Sequence, residues 1–264
     1  MIKIERTQVT GWAPAIRGMR NPLNSWDRSD TCFFDDSFTG WHNCLEMTND
    51  ISSMEQLGNN DYDLMKRLCK GGPVHAKFRR MIVVYVDVTA PLYWYKEADT
   101  YKVGTVCNSC STMHKIAEKE FELSDFSHEH LYFYGSEPLD LGLEDGEEEH
   151  FPESLYTLED TIRELNFWRN KYIEYKTKPM KDNTKREALR KFLWWQMIQL
   201  LPTTYNQRRT LMLNYEVLAN IYEYRQNHKL DEWRDFCKWI ETLPFSEIIT
   251  GKWDAEEKEE NEND

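Results

Sequence analysis

The chain has 264 residues, 40% apolar and 14% aromatic, a globular composition long enough to bury a sizeable core. No apolar run approaches a membrane span, and the charged start MIKIERTQVTG lacks the apolar core of a signal peptide, so the expected compartment is the cytoplasm. A formal net charge of −13 with no visible basic stripe argues against general nucleic-acid binding, while leaving room for a small phosphorylated ligand.

Read along the chain, a strand is expected over Lys3–Val9, then a short helical stretch, APAIRGMR, then a loop rich in Asp, Ser and Asn. Asp61–Lys70 has helical spacing in Leu64 and Leu68, closed by Gly71, Gly72 and Pro73. A strand over Met81–Val88 follows, with a turn at Thr89-Ala90-Pro91. Residues 137–160 hold ten acids and no Lys or Arg, a pattern of solvated surface or disorder. Thr157 with Asp160, and Thr184 with Glu187, form capping-box patterns ahead of two helices. The first carries Ile162, Leu165, Trp168 and Tyr172 on one face, the second Leu189, Phe192, Leu193, Gln196 and Met197. Further helices are expected over 210–226 and 230–241, the latter with Leu230, Trp233, Cys237 and Ile240 inward. The stretch 254–264 has seven acids and one lysine and cannot bury enough surface to order itself. A few strands followed by long helices predict an α+β fold, as one domain over 1–250 and an acidic disordered tail over 251–264.

The stretch YKVGTVCNSCSTMHK, 101–115, admits three readings: a metal knuckle, a redox dithiol, or a loop wrapping a phosphorylated ligand. Six cysteines without a signal peptide suggest free thiols. A structural zinc site needs a second close pair of Cys or His ligands, which is missing, so no metal is expected. A redox dithiol opens a helix behind a strand, a context that GTVCNSCS does not offer. Phosphate-loop, nucleophile-elbow, HExxH and dinucleotide signatures are all absent, and no residue stands out as catalytic. In TLMLNYEVLANIYEYR, 210–225, Asn214 and Arg225 are eleven residues apart, which puts them on one helical face, about 16 Å apart along its axis. Either they cap their own helix ends, or they serve opposite ends of a long ligand.

The spacing Asn214, Asn220, Arg225 resembles the signature helix of flavin-dependent thymidylate synthases, as does its approach, LLP with Arg208 six residues after Pro202. DEWRDFCKWI is similar to that family's closing helix without its Ala-Gln pair. AIRGMRNP resembles its early Arg-containing helix, and DLMKRLCKGGPVH its helix ending in Gly-His, with His75 sixteen residues before Pro91. The family motif Arg-His-Arg-x-x-Ser-x-Asn-Glu-x-Ser-x-Arg-Tyr falls on 101–114 with one inserted residue. Asn108 and Ser111 match it, Lys102 and Thr105 replace an Arg and a Ser, and Tyr101, Ser109, Met113 and His114 depart from it.

The resemblance implies a small, mostly antiparallel sheet flanked by long helices, in a homotetramer with active sites between subunits. Each site would hold FAD, a pyrimidine nucleotide, a methylene-folate donor and NADPH in turn. By the same carry-over, His75, Lys102, Thr105, Asn214, Asn220 and Arg225 would contact flavin. Glu97, Ser109, Ser111, Thr112 and again Arg225 would line the nucleotide, and the two cysteines would be incidental. The departures remove bidentate arginine grips that a lysine does not replace. The readings are therefore a divergent nucleotide methylase, a non-catalytic nucleotide- or flavin-binding descendant, or an unrelated α+β interaction protein.

Overall fold

In the computed structural model the described residues are 2–33, 54–133 and 152–253. The expected acidic tail and most of the acidic block at 137–160 lie outside them. The fold is mixed helix and sheet, with a small antiparallel sheet, as expected. In chain order its elements are β1 (Lys3–Thr10), α1 (Trp12–Arg20), β2 (Cys32–Phe33), β3 (Met54–Gln56), α2 (Asn59–Lys70), β4 (Val83–Pro91), α3 (Leu92–Ala98), β5 (Val106–Ser109) and α4 (Thr112–Lys115). They continue with α5 (Ser154–Thr177), α6 (Asn183–Leu200), β6 (Asn206–Asn214), α7 (Tyr215–Arg225), α8 (Asp231–Glu241) and α9 (Glu247–Thr250). No helix among the described residues is long and apolar enough to cross a membrane.

Contacts group the chain into two compact units. A sheet unit contains 2–89, 96–108 and the chain from 209 onward; a helical unit contains 90–95 and 109–208. The four-stranded sheet has the order β1-β4-β6-β5, and β1 pairs antiparallel to β4 from Lys3 opposite Thr89 to Thr10 opposite Val83. Val84, Val86, Val88 and Ala90 are buried at every second position of β4, whereas Tyr85 faces out, the period a half-buried strand requires. The polar exception is Asp87, buried on the same strand, which accepts a 2.6 Å hydrogen bond from Thr210 Oγ1 on β6. Also buried in this unit are Trp12 and Ile16 of α1, Met65 of α2, Leu218 of α7, and Trp233 and Phe236 of α8. Gly11 opens α1 at φ +93°, and a Cβ there would stand 2.1 Å from the Met81 carbonyl oxygen, so this close approach requires glycine.

The helical unit is organised by α5 and α6. Its core joins Leu158, Ile162 and Leu165 of α5 to Met197 of α6 and to Ile116, Phe121 and Phe126 of the preceding loop. The Asn166 amide bonds both the N–H and the C=O of Phe121 at 2.8 Å, fastening that loop to the helix as a strand partner would.

Several boundaries differ from the sequence reading. The supposed turn at 89–91 is the end of β4, where Pro91 is tolerated as the last strand residue. α5 begins at Ser154, so Thr157 lies inside the helix, its hydroxyl back-bonding the Glu153 carbonyl rather than capping. α6 is capped by Asp182, whose carboxylate accepts from the N–H groups of Thr184 and Lys185. The helix expected over 210–226 divides into β6 and α7: Gln207, Leu211 and Leu213 are buried on β6 at period-two spacing, and Asn214 ends the strand. In a run of three apolar residues, Leu211–Leu213, beside the β-branched Thr210, tertiary pairing with β4 and β5 decides for strand.

One carboxylate ties the N-terminal segments together. Asp61 Oδ1 accepts from Arg20 Nε at 2.6 Å, and Oδ2 accepts from the hydroxyls of Ser29 and Thr31 and the backbone N–H groups of Asp30 and Thr31. Both charges are almost wholly buried, with side-chain exposures of 4% and 0%. Asp61→Ala strands the Arg20 guanidinium and four further donors, so it should lower unfolding free energy by about 3–5 kcal/mol. Chemical denaturation of the two proteins checks this, with a loss under about 1 kcal/mol contradicting the role given to Asp61.

Candidate functional site

In the sheet unit the expected ligand residues form two groups. The first surrounds Glu97, at the end of α3. Glu97 Oε2 accepts from Arg225 Nη1 at 2.7 Å and from Trp233 Nε1 at 3.0 Å, and lies 3.5 Å from His228 Nε2. Arg225 Nε also donates to the Tyr101 hydroxyl at 3.0 Å, and its guanidinium stacks over the Trp233 ring at 4.9 Å. Arg225 thus ends α7 with its charge already matched by Glu97 and its plane held by two aromatic rings. The meeting of Glu97 and Tyr101 with Arg225 was not legible in spacing, since they stand 128 and 124 residues from it in the chain.

The second group is the loop 102–105. Gly104 has φ +80°, and a Cβ there would stand 2.6 Å from Asn214 Nδ2, so the loop lies close against the start of α7. Asn214 is the N-cap of α7, its Oδ1 accepting from the Val217 N–H at 3.0 Å. This is the capping alternative for Asn214, whereas Arg225 reaches Tyr101 and Glu97 instead of capping its last turn. Lys102 and Asn220 are exposed, and Thr105 Oγ1 is buried without a hydrogen-bond partner. His75 is exposed on the turn after α2, where its ring lies against Gly71.

In the helical unit, Ser109 and Ser111 precede α4, which Thr112 opens. Ser111 caps that turn by accepting from the His114 N–H at 3.2 Å, and Gln207 Nε2 bonds the Cys110 carbonyl at 2.9 Å and reaches Thr112 Oγ1 at 3.5 Å. Beside them lies a pocket of about 540 Å³ lined by Met113, His114, Tyr172, Glu187, Arg190, Lys191 and Trp194. Trp194 Nε1 donates to the Met113 carbonyl at 2.9 Å, locking α6 to the loop. Arg190 bonds Glu187 at 3.1 Å and the Tyr172 hydroxyl at 3.2 Å and stacks on the Tyr172 ring. Lys191 is exposed, with no partner among the described residues. The pocket joins two aromatic walls to a free ammonium, an oriented guanidinium and an imidazole, a set suited to a planar group bearing an anion. The sequence reading missed Arg190, Lys191 and Trp194. The available signal was their spacing: Glu187, Arg190, Lys191 and Trp194 fall at i, i+3, i+4 and i+7, one helical face opposite the apolar one.

The cysteines sort by geometry. Cys107 lies in β5 and Cys110 just beyond it, so three extended residues set their Cα atoms about 10 Å apart. That exceeds the roughly 7 Å a disulfide tolerates, and the redox-dithiol reading fails. Among the described residues no three His, Cys, Asp or Glu side chains gather as a metal site.

Two solved structures share this architecture. Both are of the flavin-dependent thymidylate synthase ThyX of Helicobacter pylori, each with FAD and dUMP. One is 13% identical with a TM-score of 0.57, covering 96% of this chain and 98% of that one. The other is 14% identical with a TM-score of 0.55, covering 95% and 97%. The chain has the fold of these enzymes. No protein-family model and no curated protein matches it. At such identity the likeness with ThyX is one of fold, and the side chains carry the functional argument.

Burial and the nearby Glu241 push the Cys237 thiol up to about 12. Cys107 and Cys110 are exposed. Alkylation of the native protein at about pH 8 should therefore modify Cys107 and Cys110 first and leave Cys237 untouched until denaturant is added. Peptide mass mapping reads the order, and native-state labelling of Cys237 would contradict the burial described.

Proposed function

We propose that this protein binds a pyrimidine monophosphate together with FAD and acts as a divergent flavin-dependent nucleotide methylase, with a methylene-folate donor and NADPH. The observation that carries the reading is the pocket beside Ser109, Ser111 and Thr112, where α6 supplies Arg190 and Lys191 next to His114. Lys191, without a partner among the described residues, stands in for an arginine that the motif lacks, whereas Arg190 is already matched by Glu187. A phosphate would take Lys191 and His114, and a base would lie on Trp194 or Tyr172.

The residues also suit a flavin. Lys102 and Asn220 present unengaged polar groups, and the orphaned Thr105 hydroxyl would gain the partner that a buried polar atom needs. Asn214 would contribute through its amide while capping α7, and His75 offers an exposed imidazole. When bound, the flavin would supply the hydride chemistry. The protein's part is to hold both ligands and exclude water. Assembly as a homotetramer belongs to this reading, and the exposed Phe167, Phe192 and Trp195 of α5 and α6 offer apolar surface for a second copy.

A second reading, a non-catalytic nucleotide- or flavin-binding protein, is favoured by the Glu97–Arg225 pair. A guanidinium already matched by a carboxylate contributes less to an incoming anion, because that anion must displace Glu97 or bind beside its charge.

Calorimetric titration with dUMP tests the shared binding step. Lys191→Ala should weaken dUMP about tenfold, near 1.4 kcal/mol, with an unchanged melting temperature, since the ammonium has no partner to lose. Equal affinity in the two proteins would remove the pocket from the argument. Conversion of dUMP with methylene-folate, NADPH and FAD separates the readings, because only the methylase yields a C5-methylated product. In the non-catalytic protein, Arg225→Ala should lower the melting temperature while leaving dUMP affinity unchanged.

A further inference from the structure

The cations of the sheet unit concentrate in one segment. Between Asp63 and Asp87 there are six Lys and Arg residues and no acid, in a chain whose net charge is −13. They occupy the last turns of α2 and the short 3-10 helix Lys77–Arg80. Arg67, Lys70, Lys77 and Arg80 are exposed there. Arg80 is paired with Glu216, whereas Arg67 and Lys77 have no partner among the described residues. The overall charge conceals this basic surface, and none of the ligand roles assigned above uses its Lys or Arg residues.

The chain leads an acidic segment to the same place. Lys252 Nζ bonds Glu241 at 2.7 Å and lies over the Tyr222 ring, which fixes the backbone beyond α9. Trp253 then packs edge-on against Tyr62 of α2, ring centroids 6.1 Å apart, with Lys66 Nζ 5.8 Å from its own ring. The next eleven residues, 254–264, hold seven acids and one lysine, a charge of −6 against the +6 of the basic segment. We infer that the acidic segment 254–264 docks on the basic surface of α2 and the 77–80 turn of its own chain, as an electrostatic strap that competes with polyanions.

Three physical points support this. Trp253 lies beside Lys66, one residue before Arg67 and one helical turn before Lys70, so the segment is tethered next to the basic end of α2. Eleven residues extend to about 36 Å, several times the roughly 6 Å of helix from Lys66 to Lys70, so reach is ample. A short tether also gives an effective concentration in the millimolar range, enough to populate contacts that are individually weak. The strap needs no fixed conformation, since many interchangeable ion pairs serve, in keeping with a sequence that cannot bury a core.

The probe is a heparin oligosaccharide, a polyanion chosen for charge alone. A full-length variant with every Glu and Asp of 254–264 converted to Gln or Asn should bind it about tenfold more tightly at low salt than the unaltered protein. Adding Arg67→Glu and Lys77→Glu should abolish that gain. Equal heparin affinity in the unaltered and amidated proteins would overturn the proposal. Zero-length carbodiimide crosslinking of an equal mixture of light and heavy-isotope protein supplies the second arm. Crosslinks from the 254–264 carboxylates to Lys66, Lys70 or Lys77 within one isotope class are expected. Crosslinks mainly between classes, or spread evenly over other lysines, would overturn the intrachain strap.

Discussion

The sheet unit depends on one buried carboxylate. Asp61 accepts five hydrogen bonds, from Arg20 at the end of α1 and from the segment Ser29–Thr31, while sitting in the first turn of α2. An isolated buried charge would be ruinous, so the pair stands only because Oδ1 and Oδ2 are fully engaged. The reciprocal cap strengthens this: Asp30 accepts from the N–H groups of Asn60 and Asp61, closing the N-terminus of α2 from thirty residues away. Three chain segments without a shared periodic pattern are thereby fixed, and α2 presents its basic end at a defined place.

The Glu97 cluster uses the same logic at a wetter site. Its carboxylate is shared by Arg225, Trp233 and, more distantly, His228, yet keeps a third of its side chain exposed, 37%. Partial exposure makes such an assembly adjustable in a way the Asp61 network is not, because water can take over a released oxygen or N–H. A guanidinium stacked on Trp233 and Tyr101 keeps its orientation even when its ionic partner moves. The fold thus offers one rigid ionic junction for architecture and one yielding junction near the proposed ligand residues.

In the helical unit a degraded motif lies beside a pocket lined with charged side chains. Met113 and His114 stand where the resemblance expects a cation and an aromatic residue, and the motif alone reads as a loss. The pocket draws its charge from α6 instead, with Trp194 fastened to the Met113 carbonyl so that Arg190 and Lys191 face the loop. Charge needed at a site can come from any element that reaches it, so motif arithmetic within 101–115 undercounts the cations available.

Local patterns of the sequence determined much of this protein. The period of two in β4, the amphipathic face of α8, the glycine stop after α2 and the long helices of the second half all follow from side-chain spacing and turn chemistry. The α+β class followed from them, and the Asn214–Arg225 spacing resembled the family whose fold the chain has. Only the tertiary structure decided that 206–214 is a strand, because a short apolar run satisfies either period until neighbours β4 and β5 offer ladder partners. It alone matched Arg225 with Glu97 and Asp61 with Arg20, pairs separated by 128 and 41 residues. Spacing constrains what shares a face within one element. Which distant charge a buried or half-buried group meets depends on how elements pack, since burial makes an unpaired charge too costly to leave.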